Sequence, residues 1–299
     1  MRILVAGRSG QLAEALLETS GHEIVALGRP DLDLARPETV AAAIDAARPE
    51  AIVNAAAYTA VDKAETDEAA ATAVNAGAGH LAAAASRLGL PFIHVSTDYV
   101  FDGRASRPYR EDDPVAPLGA YGRSKRAGEV AVLEAMPHAA IVRTAWVFHH
   151  RGANFLRTML RLAETRDEVG VVADQRGAPT YAADLAAALI AMIERMTADG
   201  AAAPRGLFHA TGSGETTWHG FAAAIFAGAA RRGLKVPALK AITTADYPTP
   251  ARRPAYSVLD CARLEADFGL RLPHWQDAVE RCLSRLIGPP HESQVKETR

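Results

Sequence analysis

A doubly wound parallel α/β sheet followed by a smaller C-terminal α/β unit is the fold class that this sequence predicts, and three observations carry it. The first is a short apolar run from Arg2 to Ala6 that breaks at Gly7 and Gly10 and resumes with the helical spacing Leu12, Leu16, Leu17. The second is repetition. Apolar stretches at 23–27, 51–57, 91–95 and 140–148 alternate with helix-like segments, the pattern of parallel strands joined by crossover helices. The third is placement: Ser96, Thr97 and Asp98 gather where the fourth run ends, and open parallel sheets bind ligands beyond the carboxyl ends of their strands.

Taken in order, strand 2–6 leads into a turn that aims free backbone N–H groups and a helix dipole at a phosphate. Its spacing is Gly-xx-Gly-xx-Ala rather than the Gly-x-Gly-xx-Gly of many dinucleotide sites, and a tight turn without a ligand has the same residues. Strand 23–27 ends at Gly28 and Arg29. An acid at that place selects the free 2′-hydroxyl of NAD, whereas an arginine accommodates the 2′-phosphate of NADP. Arg29 therefore points to NADPH, with Asp31 and Asp33 nearby keeping NADH open. A helix opens with Pro37 over 37–48, and run 51–57 ends in Asn54, Ala55, Ala56 and Ala57, small enough to admit a flat ligand. A single alanine-rich helix is expected over 67–88, with Asn75 as an internally satisfied amide. After strand 91–95, the Pro-, Asp- and Arg-rich loop 102–120 is long enough to be functional or mobile, and it delivers the chain to a helix over 121–135.

Beyond 148 the alternation loosens. The pattern predicts a helix over 151–168, a short strand at 169–173, a turn at 174–180, a helix over 181–196, a loop at 197–206, a strand at 207–212 and a helix over 218–232. A proline-braced loop at 247–254 carries Arg252 and Arg253, whose planar forks suit a diphosphate; a solvated basic turn is the alternative. The expected division is a nucleotide-binding unit of 1–148, to which 169–199 returns, and a substrate unit of 149–168 with 200–287. Residues 288–299 are expected to form a disordered tail.

With 33 basic residues against 35 acidic ones the net charge is −2, which gives no global field for nucleic acid or an anionic membrane. An anionic ligand must then be held locally. Cys261 and Cys282 are too few for a disulfide framework and suit a reducing compartment. The chain enters its first strand with no leader pattern and has no run of 18 apolar residues, so a cytoplasmic protein is expected.

The chemistry concentrates at Tyr121 and Lys125, four apart at the start of a helix and so stacked on one face. A nearby ammonium favours phenolate, which would let the tyrosine exchange a proton with a substrate oxygen near neutral pH. Bringing a phenol from about 10 to about 7 requires roughly 4 kcal/mol, more than one lysine supplies, so a cationic cofactor beside it is implied. With seven tyrosines in the chain, the pair alone has about a one-in-eight chance of being accidental.

Gly7, Gly10, Gln11 and Leu12, then Asn54 to Ala57, Ser96 to Phe101, Tyr121 with Lys125, Arg143 to Trp146, Asp174 to Thr180 and Pro248 to Pro254 follow one another across residues 1 to about 287. In this order they resemble the extended short-chain dehydrogenase/reductases and, within them, the dTDP-4-dehydrorhamnose reductase family. The resemblance implies a Rossmann-like fold and hydride transfer from NADPH, or NADH, to the C4 ketone of a dTDP-4-dehydro sugar. It implies that Tyr121 protonates the developing alkoxide, that Lys125 holds the nicotinamide ribose and lowers the tyrosine pKa, and that Thr97 completes a catalytic triad. Asp98 and Trp146 would line the sugar pocket. Cofactor contacts would fall to Gly10, Gln11, Leu12, Ala55, Ala56 and Ala57, with Asp33 and Leu34 near the adenine. Some members of the family dimerise around Mg²⁺ held by glutamates, but the matching positions here are Ala15, Ala183 and Arg285, so no metal is expected and the chain is expected as a monomer or homodimer. Two rivals share the motifs: another nucleotide-sugar reductase or epimerase, and a non-catalytic regulatory subunit resembling that of methionine adenosyltransferase.

Overall fold

A computed structural model describes residues 1–290, so most of the expected tail, 291–299, lies outside the described residues. Where that tail is expected to begin, the chain is still tied down, because Arg232 Nε donates to the Gly288 carbonyl at 2.7 Å.

Five strands, β1 (Arg2–Ala6), β2 (Glu23–Leu27), β3 (Ala51–Asn54), β4 (Phe92–Thr97) and β5 (Ala140–Thr144), join a sixth, Gly206–His209. Together they form one parallel sheet in the order Gly206–His209, β5, β4, β3, β1, β2. Their near-continuous apolar runs are explained by burial on both faces. Helices Gln11–Leu17 and Ala182–Asp199 cover one side, where Leu16, Leu185, Leu189 and Ile193 pack on Ile3, Val5 and Val53. Helices Pro37–Ala47 and Ala78–Leu88 cover the other, packing Val40, Ile44 and Leu81 on Leu4 and Ile52. The chain leaves β1 towards β2 on one side and returns to β3 on the other, and this reversal opens a crevice between the carboxyl ends of β1 and β3.

The single helix expected over 67–88 is two, Glu68–Ala76 and Ala78–Leu88, parted at Gly77. A Cβ at Gly77 would sit 2.1 Å from the Leu34 carbonyl oxygen, so only glycine lets the loop after β2 pass this close. The break is thus tertiary in origin and invisible to alanine periodicity.

The division expected from sequence is rearranged by strand pairing. Segment Glu168–Val172 pairs with Ala238–Ile242 in a separate two-stranded sheet, while Gly206–His209 joins the six-stranded one. The reason lies in the side chains: Val169 and Val171 enter a core with Phe148, Phe221, Ile225, Trp275 and Val279, whereas Phe208 packs with Leu264 and Leu185. Strand Ala238–Ile242 and helices Ala262–Phe268 and Trp275–Ile287 occupy stretches to which the sequence pattern assigned no element. Cys261 and Cys282 are both free thiols, Cys282 fully buried. Among the described residues no helix is long and apolar enough to cross a membrane.

Candidate active site

The crevice is built first from backbone. Gly7 has φ +115°, a left-handed value that disfavours side chains, and a Cβ there would lie 3.3 Å from the backbone of Ala55 and Ala56. The turn and the β3 tip are therefore held edge to edge, with Ala55 N donating to Ala6 O at 2.9 Å. Helix Gln11–Leu17 starts at Gly10 without a side-chain cap, which leaves its first amides available to an anionic group. Gln11 Oε1 is buried without a hydrogen-bond partner. Asn54 shapes the other wall: its Oδ1 accepts from Ala56 N at 3.1 Å and its Nδ2 lies 2.9 Å from His94 Nδ1. An unpartnered amide oxygen, a cradle of glycine and alanine and an uncapped helix start fit a flat, phosphate-bearing dinucleotide.

Around the crevice's rim, the cofactor candidates differ in what they can offer. Arg29 is exposed, and its carbonyl accepts from Arg8 Nη2 at 3.1 Å, while Arg8 Nη1 reaches Asp31 at 3.3 Å. Asp33 caps its own loop through Ala35 N. The side chains of Leu12 and Leu34 point into the two hydrophobic cores, so these residues can meet a ligand only through their backbones.

Tyr121 and Lys125 lie one turn apart on helix Ala120–Ala135, whose first amide, that of Ala120, donates to Glu65 Oε1 at 2.8 Å. The Tyr121 ring packs against Ala64, Ala71 and Ala120 and stands edge-on to Tyr99 at 5.7 Å between centroids. The sequence implies a lowered phenol; in the protein chain itself the reverse holds. Burial pushes the Tyr121 phenol up to about 12, the neighbouring Thr97 hydroxyl lowers it, and the Asp98 carboxylate raises it further. Lys125 is buried, and its Nζ donates to Val95 O at 2.8 Å and lies 3.5 Å from His94 Nε2. Burial brings its ammonium down to about 8, opposed by the Glu129 carboxylate. No hydrogen bond joins Lys125 to Tyr121 among the described residues, and burial is the largest influence on the phenol. At neutral pH the site thus offers a protonated phenol and a cationic ammonium, the states suited to giving a proton to an oxygen that gains charge.

Thr97 Oγ1 donates to Asp98 Oδ1 at 3.0 Å and accepts from Tyr99 N. Burial raises the Asp98 carboxyl to about 6, only partly offset by adjoining hydroxyls and amides, and its Oδ2 is buried without a partner. Ser96 turns away from the crevice to donate to Glu129 at 2.7 Å. Trp146 stacks on Trp218, 3.6 Å between centroids and 10° between planes, and its backbone is left-handed at φ +46°. Arg252 and Arg253 line a cavity of about 450 Å³ with Asp174, Thr244 and Tyr247. Arg253 is already engaged, donating to both Asp62 oxygens at 3.1 and 2.9 Å and to the Thr249 hydroxyl, whereas Arg252 is exposed.

Several contributors were not anticipated. Trp218 was read only as a helix start, yet it backs Trp146; His94, a polar residue in an apolar strand, buttresses the lysine and holds Asn54, which the sequence offered as a cap, at the β3 tip. A polar residue inside a buried strand was the available signal. Asn75 accepts from Tyr58 N at 2.8 Å and donates to Ser124 Oγ at 2.8 Å, the satisfied amide expected of it. At the positions linked by resemblance with Mg²⁺, Ala15 and Ala183 offer no ligand and the Arg285 guanidinium donates to Glu18 at 2.8 Å, so they do not fit that ion.

Nearly the whole chain is similar to known proteins. A family model described as "RmlD substrate binding domain" matches residues 1–287. A dTDP-4-dehydrorhamnose reductase of Sinorhizobium fredii is 49% identical over 293 residues, covering 96% of this chain and 98% of that protein. One of Burkholderia thailandensis is 50% identical over 299 residues, covering 96% and 99%. The crystal structure of the Bacillus anthracis dTDP-4-dehydrorhamnose reductase in complex with NADP is 35% identical with a TM-score of 0.87, covering 95% of this chain and 99% of that one.

Proposed function

The chain belongs to the RmlD substrate binding domain family, and from that premise we propose that it reduces the C4 ketone of dTDP-4-dehydro-L-rhamnose to dTDP-L-rhamnose with NADPH, NADH being a possible second donor. The observation that carries the reading is the meeting of a protonated Tyr121 phenol, a buried cationic Lys125 and Thr97 at the mouth of a glycine- and alanine-lined crevice. A non-catalytic subunit has no need of that triad, and relatives sharing about half of the sequence carry the reductase name.

A reduced nicotinamide bound in the crevice supplies the hydride. Gly7, Gly10, Gln11 and Leu12 hold its diphosphate side through backbone and amide groups, with Ala55, Ala56 and Ala57 forming the opposite wall. Asp33 and the Leu34 backbone border the adenine. Lys125, fixed by Val95 O, presents its charge to the nicotinamide ribose and to the electron-rich phenol once the proton has left. Thr97 orients the sugar carbonyl oxygen, and Tyr121 gives it a proton as the C4 oxygen becomes an alkoxide. Asp98 and the Trp146–Trp218 stack bound the sugar, and Arg252 reaches the diphosphate while Arg253 braces the loop through Asp62. The residues of the six-stranded sheet and its helices form the cofactor unit; those around strands Glu168–Val172 and Ala238–Ile242 form the substrate unit. We place the protein, as monomer or homodimer, in the cytoplasm, where two free thiols persist.

The direct test is loss of reduced-nicotinamide absorbance on incubation with dTDP-4-dehydrorhamnose. An enzyme preparation that binds NADPH and leaves the absorbance unchanged would reject the substrate. Two further outcomes follow. Arg29→Ala should raise the NADPH KM about tenfold, the size of one charge-assisted hydrogen bond, and leave the NADH KM unchanged; parallel changes for both cofactors would count against a 2′-phosphate contact. Because Lys125 loses its proton at about 8, kcat/KM should fall as pH rises through that value. Lys125→Arg, charged throughout, should lack this alkaline limb; its persistence would assign the limb to another group.

A further inference from the structure

Apart from the crevice, one cluster of side chains combines donor chemistry with unmet hydrogen-bonding capacity. Glu18 caps helix Gln11–Leu17 at its C-terminus, and His149 and His150 follow the short strand Val147–Phe148. One donor atom from each of the three lies within 4.8 Å of the other two. His149 has 0% of its surface exposed, and neither of its ring nitrogens has a hydrogen-bond partner. Its Nδ1 is 3.9 Å from Glu14 Oε2 and its Nε2 is 4.0 Å from Glu18 Oε2, too far for hydrogen bonds. His150 Nε2 is 3.2 Å from Glu18 Oε1, and Glu14 Oε2 and Glu18 Oε1 are themselves buried without hydrogen-bond partners.

We propose that Glu18, His149 and His150 form a binding site for a divalent transition-metal ion of the zinc class, with Glu14 as a further carboxylate. Such an ion takes imidazole nitrogen and carboxylate oxygen at about 2.0–2.2 Å, which places ligand atoms of one tetrahedron about 3.4 Å apart. The observed separations, 3.2 Å between His150 Nε2 and Glu18 Oε1 and 4.0 Å between His149 Nε2 and Glu18 Oε2, bracket that spacing. His150 also has the outer partner that metal-bound histidines use to fix their ring, its Nδ1 lying 3.1 Å from the Tyr181 hydroxyl. Mg²⁺ does not suit a site with two nitrogen donors. Arg285 and Arg151 contact Glu18 at 2.8 and 3.4 Å, but their side chains are 52% and 62% exposed and can swing out. They act as competitors for the carboxylate. The site is built within one chain, from donors other than those at positions 15, 183 and 285, and does not depend on the reductase reading.

The test uses untagged full-length protein and Co²⁺, whose visible absorption reports nitrogen and carboxylate ligation. Equilibrium dialysis should retain one Co²⁺ per chain, displaced by equimolar Zn²⁺ and not by excess Mg²⁺. Glu18→Gln and His150→Gln should each weaken binding at least tenfold, and Arg285→Ala should tighten it, a change that a purely structural cluster does not produce. Circular dichroism identifies a variant that fails to fold, in which case the other two decide. Absence of retained Co²⁺, displacement by Mg²⁺, or affinity unchanged in the folded variants overturns the proposal.

Discussion

Replacing Tyr121 with Phe is expected to lower kcat by about 10²- to 10⁴-fold, the range of a single acid–base group, while NADPH binding stays close to that of the parent enzyme. The substitution is clean because the ring's surroundings are apolar: Ala64, Ala71, Ala120 and the edge of Tyr99 accept phenylalanine as readily as tyrosine. Only the hydroxyl is lost. Burial holds that hydroxyl protonated up to about 12, so at neutral pH it is a donor ready for an oxygen that gains charge. Thr97 cannot substitute, since an alkyl hydroxyl is a far weaker acid than a phenol. Steady-state turnover and a fluorescence titration with NADPH, run on the same preparation, separate the two effects. Turnover within tenfold of the parent would remove Tyr121 from the role of proton donor.

The largest effect on stability is expected at Glu129. This carboxylate is fully buried and accepts two hydrogen bonds from Arg143, at 2.8 and 2.9 Å, one from Ser96 and one from Arg126. Arg143 is itself buried under the Phe101 ring. Glu129→Ala leaves that guanidinium without its counter-charge, and removing one partner of a buried pair costs about 3–5 kcal/mol. Replacing both, as Glu129→Met with Arg143→Met, should cost less, because the fully buried guanidinium is removed together with its counter-charge. Urea unfolding of the single and double variants decides the matter; equal losses would show that packing, not charge, is what the pair supplies. The pH dependence has a definite sign. Burial alone would raise the Glu129 carboxyl, but Arg143, Ser96 and Arg126 outweigh it and leave it lowered from 4.5. A group depressed on folding stabilises above its unfolded value, so this contribution is present at neutral pH and is lost as pH falls below about 4.5 through the folded value.

The same network explains why parts of the molecule were readable in sequence and others were not. Strands buried on both faces write themselves as apolar runs, so β1 to β5 and the Gly7 turn were evident, as were Tyr121, Lys125 and Thr97 through their motif order. What local pattern could not carry was contact between distant segments. Gly77 looks like any residue of an alanine-rich helix until the Leu34 carbonyl is set against it. Segments 168–172 and 206–209 look alike as short strands, and only their partners separate them. Spacing along the helix placed Lys125 beside Tyr121 but could not show that the ammonium is turned to Val95 O or that burial dominates the phenol of the bare chain. His149 and His150 are neighbours in sequence, but Glu18 is brought to them only by the fold.

On the proposed reading that Trp146 bounds the sugar, its backbone bears on how substrate range can evolve. Its left-handed backbone, at φ +46°, is a conformation that costs an ordinary side chain about 1–2 kcal/mol and that glycine, asparagine and aspartate tolerate best. The substitutions the backbone would welcome are therefore those that abolish the aromatic wall, and those that would keep a wall inherit the strain without the full stack on Trp218. Position 146 is caught between the two and offers little for gradual selection. On that reading, variation in sugar preference is better accommodated at Trp218 and Phe155, whose helical backbones carry no such restriction and whose rings pack in turn, Trp218 on Trp146 at 3.6 Å and Phe155 on Trp218 at 4.7 Å between centroids.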